Sequence, residues 1–358
     1  MRDSEKYRGP ALNNEHKGIR RLLKKIEFAH HHAVRRRSLR GGKPFNIWLL
    51  GTKPLNLSSA LTETWINSNS RLFHAQTDPL KGRMDVIWVH SQDPLSHQDA
   101  EILRARIAAH REVAVINHPD RYNFYHSEKS FRELEQAGVP VPHEIGRGDE
   151  YEGLAVYKKS GVQAADKWLG PYAGPKSGYR AFSFIETKWA DGFYRRFRIF
   201  YLCGWVRASK LFLGRDWNVA LKSTEHLYYG FPLTEKMKKV ANGVHKVSGL
   251  DYFALDLLVR ESDGEAFCVD INVFPHVDSL ASTQRAAKRL FRMHTFGARE
   301  ALGMPEPDGI PAGEAFDTAL SSWMKRSQGS QRRLDVTQSS AALSPPPELR
   351  SPRRRARG

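Results

Sequence analysis

The sequence predicts a mixed α/β fold, because strand-like and helix-like segments alternate early in the chain and paired strands dominate its middle. Short apolar runs separated by helix-length segments indicate a parallel sheet between about residues 45 and 117. Two later pairs of apolar runs, each joined by turn residues, are typical of β-hairpins. With 358 residues, the chain is long enough for two domains.

The first predicted domain alternates strands with helices. We expect strands at Phe45–Gly51, Arg71–Ala75, Asp85–His90 and Val113–Asn117, and helices at Leu57–Ser68 and Ser96–His110. This order is typical of parallel strands connected by crossover helices. No GxGxxG sequence follows these strands, so a dinucleotide-binding dehydrogenase lacks its motif.

The middle of the chain is predicted to contain antiparallel strands. Ser127 is expected to cap a helix that ends at Gly138. The elements expected after it are the strands Gly153–Lys159 and Tyr179–Glu186, the hairpin Arg195–Tyr201 with Trp205–Phe212, and the helices Val162–Leu169, Leu233–Val247 and Asp278–Leu302. From about Ser327 the chain is rich in Ser, Pro and Arg, so we expect it to be disordered.

The central feature of the sequence is Asp251–Pro275, where two apolar runs flank a turn at residues 262–264. A turn centred on residue 263 places Asp256 opposite Asp270, and strand alternation puts Asn272 on the face of Asp270. Such an all-oxygen cluster suits Mg²⁺ bound together with nucleotide phosphates. The pattern leaves open that these side chains instead lie in water at a strand end or pair with an arginine.

The net charge of +17 is concentrated at the two ends of the chain. Residues 1–43 carry 13 Lys and Arg against 4 Asp and Glu, and residues 325–358 carry 9 against 2. Residues 18–37 are predicted to form a basic amphipathic helix. Basic ends of this kind contact an acidic surface or stay solvated, and we do not expect a specific nucleic-acid site.

Cysteine usage and hydropathy indicate a cytoplasmic protein. Cys203 and Cys268 both lie in apolar, strand-like runs, so we expect reduced core residues in a reducing compartment. No apolar run approaches the ~20 residues that span a bilayer. Charged residues rather than an apolar signal segment follow Met1.

Five segments, taken in order, resemble the ATP-grasp superfamily, particularly the ligases related to ribosomal-protein glutamate ligase and D-alanine–D-alanine ligase. The segments are VINHPDRYNFYHSEKSFRELEQAGVPVP, LAVYKK, AFSFIE, RRFRIFYLCGWV, and the pair DYFALDLL with FCVDINVFP. The resemblance covers about residues 45–304. It implies an ATP-grasp fold in which a Rossmann-like parallel-sheet domain precedes two α+β lobes that hold ATP between them. The implied division is a basic extension at 1–43, an N-terminal α/β domain at 44–125, an ATP-grasp domain at 126–304, and a linker with a disordered basic tail at 305–358.

The resemblance also implies which residues contact the nucleotide. Lys129 and Lys158 would contact the phosphates of ATP, with Lys159 as the alternative to Lys158. Glu186 and the backbone of Phe184 and Ile185 would line the adenine slot. Each has a structural alternative, since a lysine can extend along the protein surface and Phe184 can be ordinary core packing.

For catalysis, the resemblance implies that Arg198 clamps a phosphate or acyl phosphate with its two-pronged guanidinium group. Asp256, Asp270 and Asn272 would hold one or two Mg²⁺ or Mn²⁺ ions. The implied reaction transfers the γ-phosphoryl group of ATP to a substrate carboxylate, after which an amine attacks the acyl phosphate. The substrates would be small molecules or peptides, and no protein nucleophile is needed.

Several residues in or near these segments can be interpreted in two ways. Arg195, Arg196 and Arg207 are either part of the phosphate site or a solvated basic face. Trp217 and Asn218 are either substrate contacts or parts of a capped loop with a buried tryptophan.

Three departures from the family pattern support an alternative function. Asp270 stands where the family most often has Glu, and the glycine-rich loop after Lys159 is reduced to Ser160–Val162. The segment AFSFIE lacks the Glu often found earlier in the joining segment, and Gly170–Gly178 is either a substitute flap or an inert connector. The alternative is a degenerate protein that binds nucleotide without ligase turnover and acts as a binding module.

Overall fold

The computed structural model describes residues 43–52, 57–77, 84–146, 148–159, 167–220, 223–229, 231–275 and 313–327. The predicted N-terminal helix, the predicted helix Asp278–Leu302 and the tail beyond residue 327 lie outside these residues. Within the described ranges, no helix combines the length and apolar character needed to cross a bilayer.

The N-terminal part contains a parallel sheet, as predicted. Its described strands lie in the order β2-β1-β3-β4. They are β1 (Phe45–Leu50), β2 (Phe73–Gln76), β3 (Val86–Val89) and β4 (Ala114–Ile116), and the helices between them are α1 (Leu57–Asn69) and α2 (His97–Ala108). β3 is buried along its whole length, which explains why its sequence is continuously apolar.

The link to the rest of the chain is built from short helical turns. It comprises α3 (Pro119–Tyr122), a 3₁₀ turn at Phe124–His126, and α4 (Ser130–Gln136). The prediction that Ser127 caps the helix is wrong, because the 3₁₀ turn ends there and Lys129 takes the N-cap position. Ser127 Oγ instead accepts a hydrogen bond from the backbone N–H of Lys129 at 3.3 Å.

A small antiparallel sheet follows, with its described strands in the order β5-β8-β6-β7. The strands are β5 (Glu144–Ile145), β6 (Leu154–Lys159), β7 (Lys167–Pro171) and β8 (Tyr179–Ser183). The predicted helix Val162–Leu169 is wrong from residue 167 onward, where the chain forms β7, and residues 162–166 are outside the described ranges. Trp168 pairs across the strands with Tyr157 and stacks on it at 4.0 Å between ring centroids, which favours a strand over a helix.

A larger antiparallel sheet has its described strands in the order β11-β10-β9-β12-β13. The strands are β9 (Tyr194–Leu202), β10 (Trp205–Gly214), β11 (His226–Tyr229), β12 (Tyr252–Val259) and β13 (Ala266–Asn272), and α5 (Glu235–Ser248) precedes β12. Both predicted hairpins are present. The β9–β10 turn contains Cys203 and Gly204 at positive φ, and Asp256 lies opposite Asp270 as expected.

Residues 313–327 form a further helix, here called α6, inside the segment predicted to be linker and tail. Its buried face consists of Phe316, Leu320, Trp323 and Met324, which pack into the same core as the parallel sheet. These positions have helical spacing, so the apolar periodicity that reveals α6 is present in the sequence. The free cysteines Cys203 and Cys268 are buried, as expected.

Candidate nucleotide site

A cleft of about 850 Å³ lies between the small and the large antiparallel sheets. Strands β6 and β8 supply one wall, and β12 and β13 supply the other. The connector from β8 to β9 and the loop after β10 close one end, and the segments at Gln92–Pro94 and Tyr125–His126 contribute from the N-terminal part. Residues far apart in sequence therefore meet in one cleft of the size that ligand sites occupy.

The small-sheet wall of the cleft is cationic. Lys158, on β6, is half-buried and lines the cleft, as do Lys167 and Arg180. Burial lowers the pKa of Lys158, and the positive charges of Lys167 and Arg180 add to this effect while Asp270 opposes it. Arg180 donates to both carboxylate oxygens of Glu144 at 2.7 and 2.8 Å, so its charge is already balanced. Lys158 and Lys167 are therefore among the cations of this wall that remain for an anionic ligand.

The two other predicted phosphate lysines differ in position. Lys159 also lines the cleft, although its side chain is exposed, so it remains the alternative to Lys158. Lys129 is exposed at the N-cap of α4 and is not among the cleft-lining residues, whereas its neighbour Glu128 is. The structure does not bring Lys129 into the site, because the helix starts later than predicted and turns this side chain towards solvent.

The connector after β8 forms an apolar end of the cleft. Phe184 and Ile185 line it as expected, and Phe184 makes an edge contact with Trp217 at 6.3 Å between ring centroids. Trp217 and Asn218 also line the cleft, which supports the functional interpretation of this loop.

Glu186 does not line the cleft, contrary to the expectation. Its side chain is exposed and accepts a hydrogen bond from the backbone N–H of Lys188 at 2.8 Å. The side chain of Glu186 also forms a hydrogen bond with the hydroxyl of Tyr194. Burial raises the pKa of the Tyr194 hydroxyl, and the charge of Glu186 and the hydrogen bond to it add to that shift. The connector is irregular at this point, so strand alternation does not determine which of its side chains face the cleft.

The large-sheet wall contains the predicted acidic cluster. Asp256 is 2% exposed and accepts two hydrogen bonds from Arg198, from Nε at 2.7 Å and from Nη2 at 2.8 Å. It also accepts one from Arg196 Nη1 at 2.9 Å. For Asp256, the arginine pairing that the sequence left open is therefore what the structure contains.

Asp270 and Asn272 face the cleft beside Asp256. Burial raises the pKa of the Asp270 carboxyl, the negative charge of Asp256 adds to the shift, and a hydrogen bond with Tyr125 opposes it. Asn272 uses its Oδ1 to accept from the backbone N–H of Phe274 at 2.9 Å. A cation at this point would relieve the repulsion between the two carboxylates.

The donor set fits Mg²⁺: Asp270 would hold the ion, with Asn272 beside it and the phosphate oxygens of a bound nucleotide as further ligands. Mg²⁺ is commonly bound in this way, through one or two carboxylates and the substrate's phosphates. Asp256 retains limited capacity because both of its oxygens already accept hydrogen bonds. Among the described residues, no group of three or more His, Cys, Asp or Glu side chains forms a metal site by itself.

Arg198, the predicted catalytic arginine, is not among the residues that line the cleft, whereas Arg196 is. The sequence left Arg196 between the phosphate site and a solvated face, and it did not assign Arg180, Lys167 or Tyr125 to the site. Strand alternation places residues two positions apart on one face, so the signal for Arg196 was present in its spacing from Arg198.

No protein-family model matches this sequence, and no curated protein matches it either. The structure is similar to solved structures of ATP-grasp ligases. One is the ATP-grasp ligase PsnB complexed with minimal precursor, Mg and ADP, with a TM-score of 0.44 and 14% identity over 77% of this chain and 97% of that chain. Another is the macrocyclase MdnC bound with precursor peptide MdnA from Microcystis aeruginosa MRC, with a TM-score of 0.43 and 13% identity over 69% and 100%. A third is D-alanine–D-alanine ligase from Bacillus anthracis, with a TM-score of 0.47 and 10% identity over 81% and 100%.

Proposed function

We propose that this protein is an ATP- and Mg²⁺-dependent ligase that joins a carboxylate to an amine through an acyl phosphate. The observation that carries the proposal is the division of charge across the cleft. Lys158 and Lys167 line one wall, Asp270 and Asn272 line the other, and an apolar end lies beside Phe184. ATP has a matching division, with an apolar base at one end and about four negative charges at the other.

Each group has a role in this scheme. The backbone of Phe184 and Ile185 holds the adenine, and Lys158 binds phosphate oxygens. Asp270 with Asn272 would hold Mg²⁺, for which Mn²⁺ could substitute. The bound cation supplies neutralisation of the charge that develops on the phosphates. A substrate carboxylate oxygen bonds to the γ-phosphorus as the bond to ADP breaks. An amine nitrogen then bonds to the acyl carbon, phosphate leaves, and the amine proton passes to solvent.

The domain division follows from the same scheme. We assign residues 44–125 to a Rossmann-like N-terminal domain and residues 126–304 to the ATP-grasp domain, with the basic ends outside both. The carboxylate and the amine are small molecules or peptides. The basic ends are available for an acidic surface, and the ligase acts in the cytoplasm.

A second candidate function is a nucleotide-binding module without turnover. The observation that favours it is the pairing of Asp256 with two arginines, which occupies a carboxylate that catalysis would direct at a metal. Asp270 is also one methylene shorter than a Glu and reaches less far into the cleft.

Release of ADP separates the two candidates. The protein is incubated with Mg-ATP and a pool of the twenty common amino acids and their dipeptides, with hydroxylamine added to trap any acyl phosphate as a hydroxamate. A ligase releases ADP and forms hydroxamate only when a carboxylate is present, and Lys158→Ala suppresses both. A module binds Mg-ATP in a parallel titration yet yields neither product. Absence of Mg-ATP binding contradicts both functions.

A further inference from the structure

We propose that Arg196, rather than Arg198, is the arginine of the large sheet that contacts the terminal phosphates of the bound nucleotide. The inference rests on the proposed nucleotide site and assigns one further residue to it. Arg198 and Asp256 then act as positioning residues that hold the Arg196 guanidinium in place.

Arg196 is the better placed of the two arginines to reach a ligand in the cleft. Both arginines lie on the same face of β9, but Arg196 lines the cleft and Arg198 does not. Arg196 pairs across the sheet with Leu258 on one side and Phe212 on the other, and Leu258 also lines the cleft. The guanidinium of Arg196 is therefore placed where a ligand in the cleft can reach it.

Arg196 also has more uncommitted N–H donors than Arg198. Arg198 commits Nε and Nη2 to Asp256 in a two-pronged pair. Arg196 commits only Nη1 to Asp256, and its Nε is buried without a hydrogen-bond partner in the described part of the chain. Because a guanidinium has five N–H donors, Arg196 retains N–H groups on its two Nη atoms for an additional acceptor in the cleft.

The charge of the side chains around Arg196 also favours a phosphate contact there. One carboxylate, that of Asp256, faces two guanidinium groups, so the three side chains together carry a net positive charge. Asp256 is 2% exposed, whereas Arg196 and Arg198 are 20% and 26% exposed, so the arginines present this charge, and of the two it is Arg196 that lines the cleft. Lys158 faces the cleft from the opposite sheet. Cations from two walls converge on one space, which is the arrangement that binds a polyphosphate.

The guanidinium group of Arg196 is also held in a fixed orientation. The guanidinium carbon of Arg196 lies 4.3 Å from the centroid of the Phe212 ring, and that of Arg198 lies 5.9 Å from it. Stacking on an aromatic face and the bond to Asp256 fix the plane of the Arg196 group before a ligand arrives. A preorganised cation loses less entropy on binding than a mobile surface side chain.

The test is a calorimetric comparison of Mg-ATP, Mg-ADP and AMP binding to the full chain and to Arg196→Gln. We expect Mg-ATP affinity to fall about 10- to 100-fold, which corresponds to the loss of one charge-assisted contact, while AMP affinity stays unchanged. Arg207→Gln, on the neighbouring strand and outside the cleft lining, serves as the matched control and should bind all three nucleotides like the unchanged protein. A thermal melt of each variant verifies folding. If Arg196→Gln does not fold, Arg196→Lys retains the charge without the planar fork and should still weaken Mg-ATP more than AMP.

Three results would overturn the inference. Unchanged Mg-ATP affinity in a folded Arg196 variant would remove this residue from the site while leaving the proposed function standing. Equal losses for Mg-ATP and AMP would place its contact away from the terminal phosphates. Failure of the unchanged protein to bind Mg-ATP would instead remove the proposed function and the inference together.

Discussion

Two lysines with the same predicted role differ in their surroundings. Lys158 is half-buried in the cleft, and Lys129 is exposed at a helix N-cap. We predict that Lys158→Ala weakens Mg-ATP binding about 10- to 100-fold, because it removes a charge-assisted contact, whereas Lys129→Ala leaves the affinity unchanged. Calorimetric titration of both variants measures this difference, and equal losses would contradict the assignment.

The buried carboxylate of Asp270 destabilises the folded protein when no cation neutralises its charge. Burial and the charge of Asp256 raise the pKa of its carboxyl, so the folded protein resists an ionisation that the unfolded chain undergoes above the ordinary aspartate pKa of 3.8. The destabilisation is therefore absent below that pH and accumulates as the pH rises towards the folded-state pKa. Without metal, we predict that Asp270→Asn melts at a higher temperature than the unchanged protein at pH 7.

The same substitution should weaken the stabilisation of the protein by ligand. Asp270→Asn removes an anionic Mg²⁺ ligand, so we predict a smaller Mg-ATP-dependent rise in melting temperature than in the unchanged protein. Melts at a series of pH values between 4 and 7, with EDTA and with Mg-ATP, measure both effects. Unchanged Mg-ATP affinity in the variant would remove Asp270 from the site.

At the scale of elements, one ion-pair network connects β9 and β12 in the large-sheet wall of the cleft. Asp256, on β12, holds both arginines of β9. We predict that Asp256→Ala lowers the free energy of unfolding by about 3–5 kcal/mol, because it leaves two partly buried guanidinium groups side by side without a counter-charge. Denaturant unfolding measures the loss. Asp263→Ala, in the exposed turn of the same hairpin, is the control and should have a much smaller effect; comparable losses would contradict a special role for the network.

The success of sequence prediction also differs between elements. The turn around Asp263 could be predicted from its residues, and it joins β12 to β13, although the facing of Asp256 and Asp270 also depends on a bulge that shifts the register by one residue between Asp256 and Leu257. β7 could not be predicted in this way. This strand is favoured by the stacking of Trp168 on Tyr157, a contact that exists only once β6 lies beside it. Local periodicity predicts elements well where the chain itself sets the pairing.

The site residues follow the same division. Lys158 and Asn272 were predicted because they lie on regular strands whose alternation determines their direction. Lys129 and Glu186 lie at a helix start and in a connector, where a shift of one residue changes the side that a side chain faces. The pairing of Asp256 with Arg196 and Arg198 was only one of the alternatives, since the relative position of β9 and β12 is a property of the assembled sheet.

At the scale of the whole molecule, α6 joins parts of the chain that are distant in sequence. Asp317 accepts hydrogen bonds from the backbone N–H groups of Arg71 and Leu72, at 2.8 and 3.2 Å, and from the hydroxyl of Ser70. Near the other end of the helix, Arg326 donates to the carbonyl oxygen of Cys203 at 3.2 Å. α6 therefore contacts both the parallel sheet and the β9–β10 hairpin.

We predict that Asp317→Ala lowers the free energy of unfolding by about 3 kcal/mol, because it leaves two part-buried backbone donors and the buried Ser70 hydroxyl without their acceptor. Removal of residues 328–358, which leaves α6 in place, should change neither the melting temperature nor Mg-ATP binding. Thermal and denaturant melts of the two variants provide the comparison. A large loss of stability on truncation, or none for Asp317→Ala, would contradict this role for α6.

The central claim is that the cleft between the two antiparallel sheets binds Mg-ATP. The most direct measurement is a thermal melt of the full chain with Mg-ATP, with ATP in EDTA, and without ligand. Ligand at about 100 times its dissociation constant adds about 2.7 kcal/mol of stability, and each kcal/mol raises the melting temperature of a domain of about 150–250 residues by about 2–4 °C. We predict a rise of several degrees that depends on Mg²⁺ and is lost in Lys158→Ala. No shift at millimolar Mg-ATP would contradict both the proposed ligase and the nucleotide-binding module.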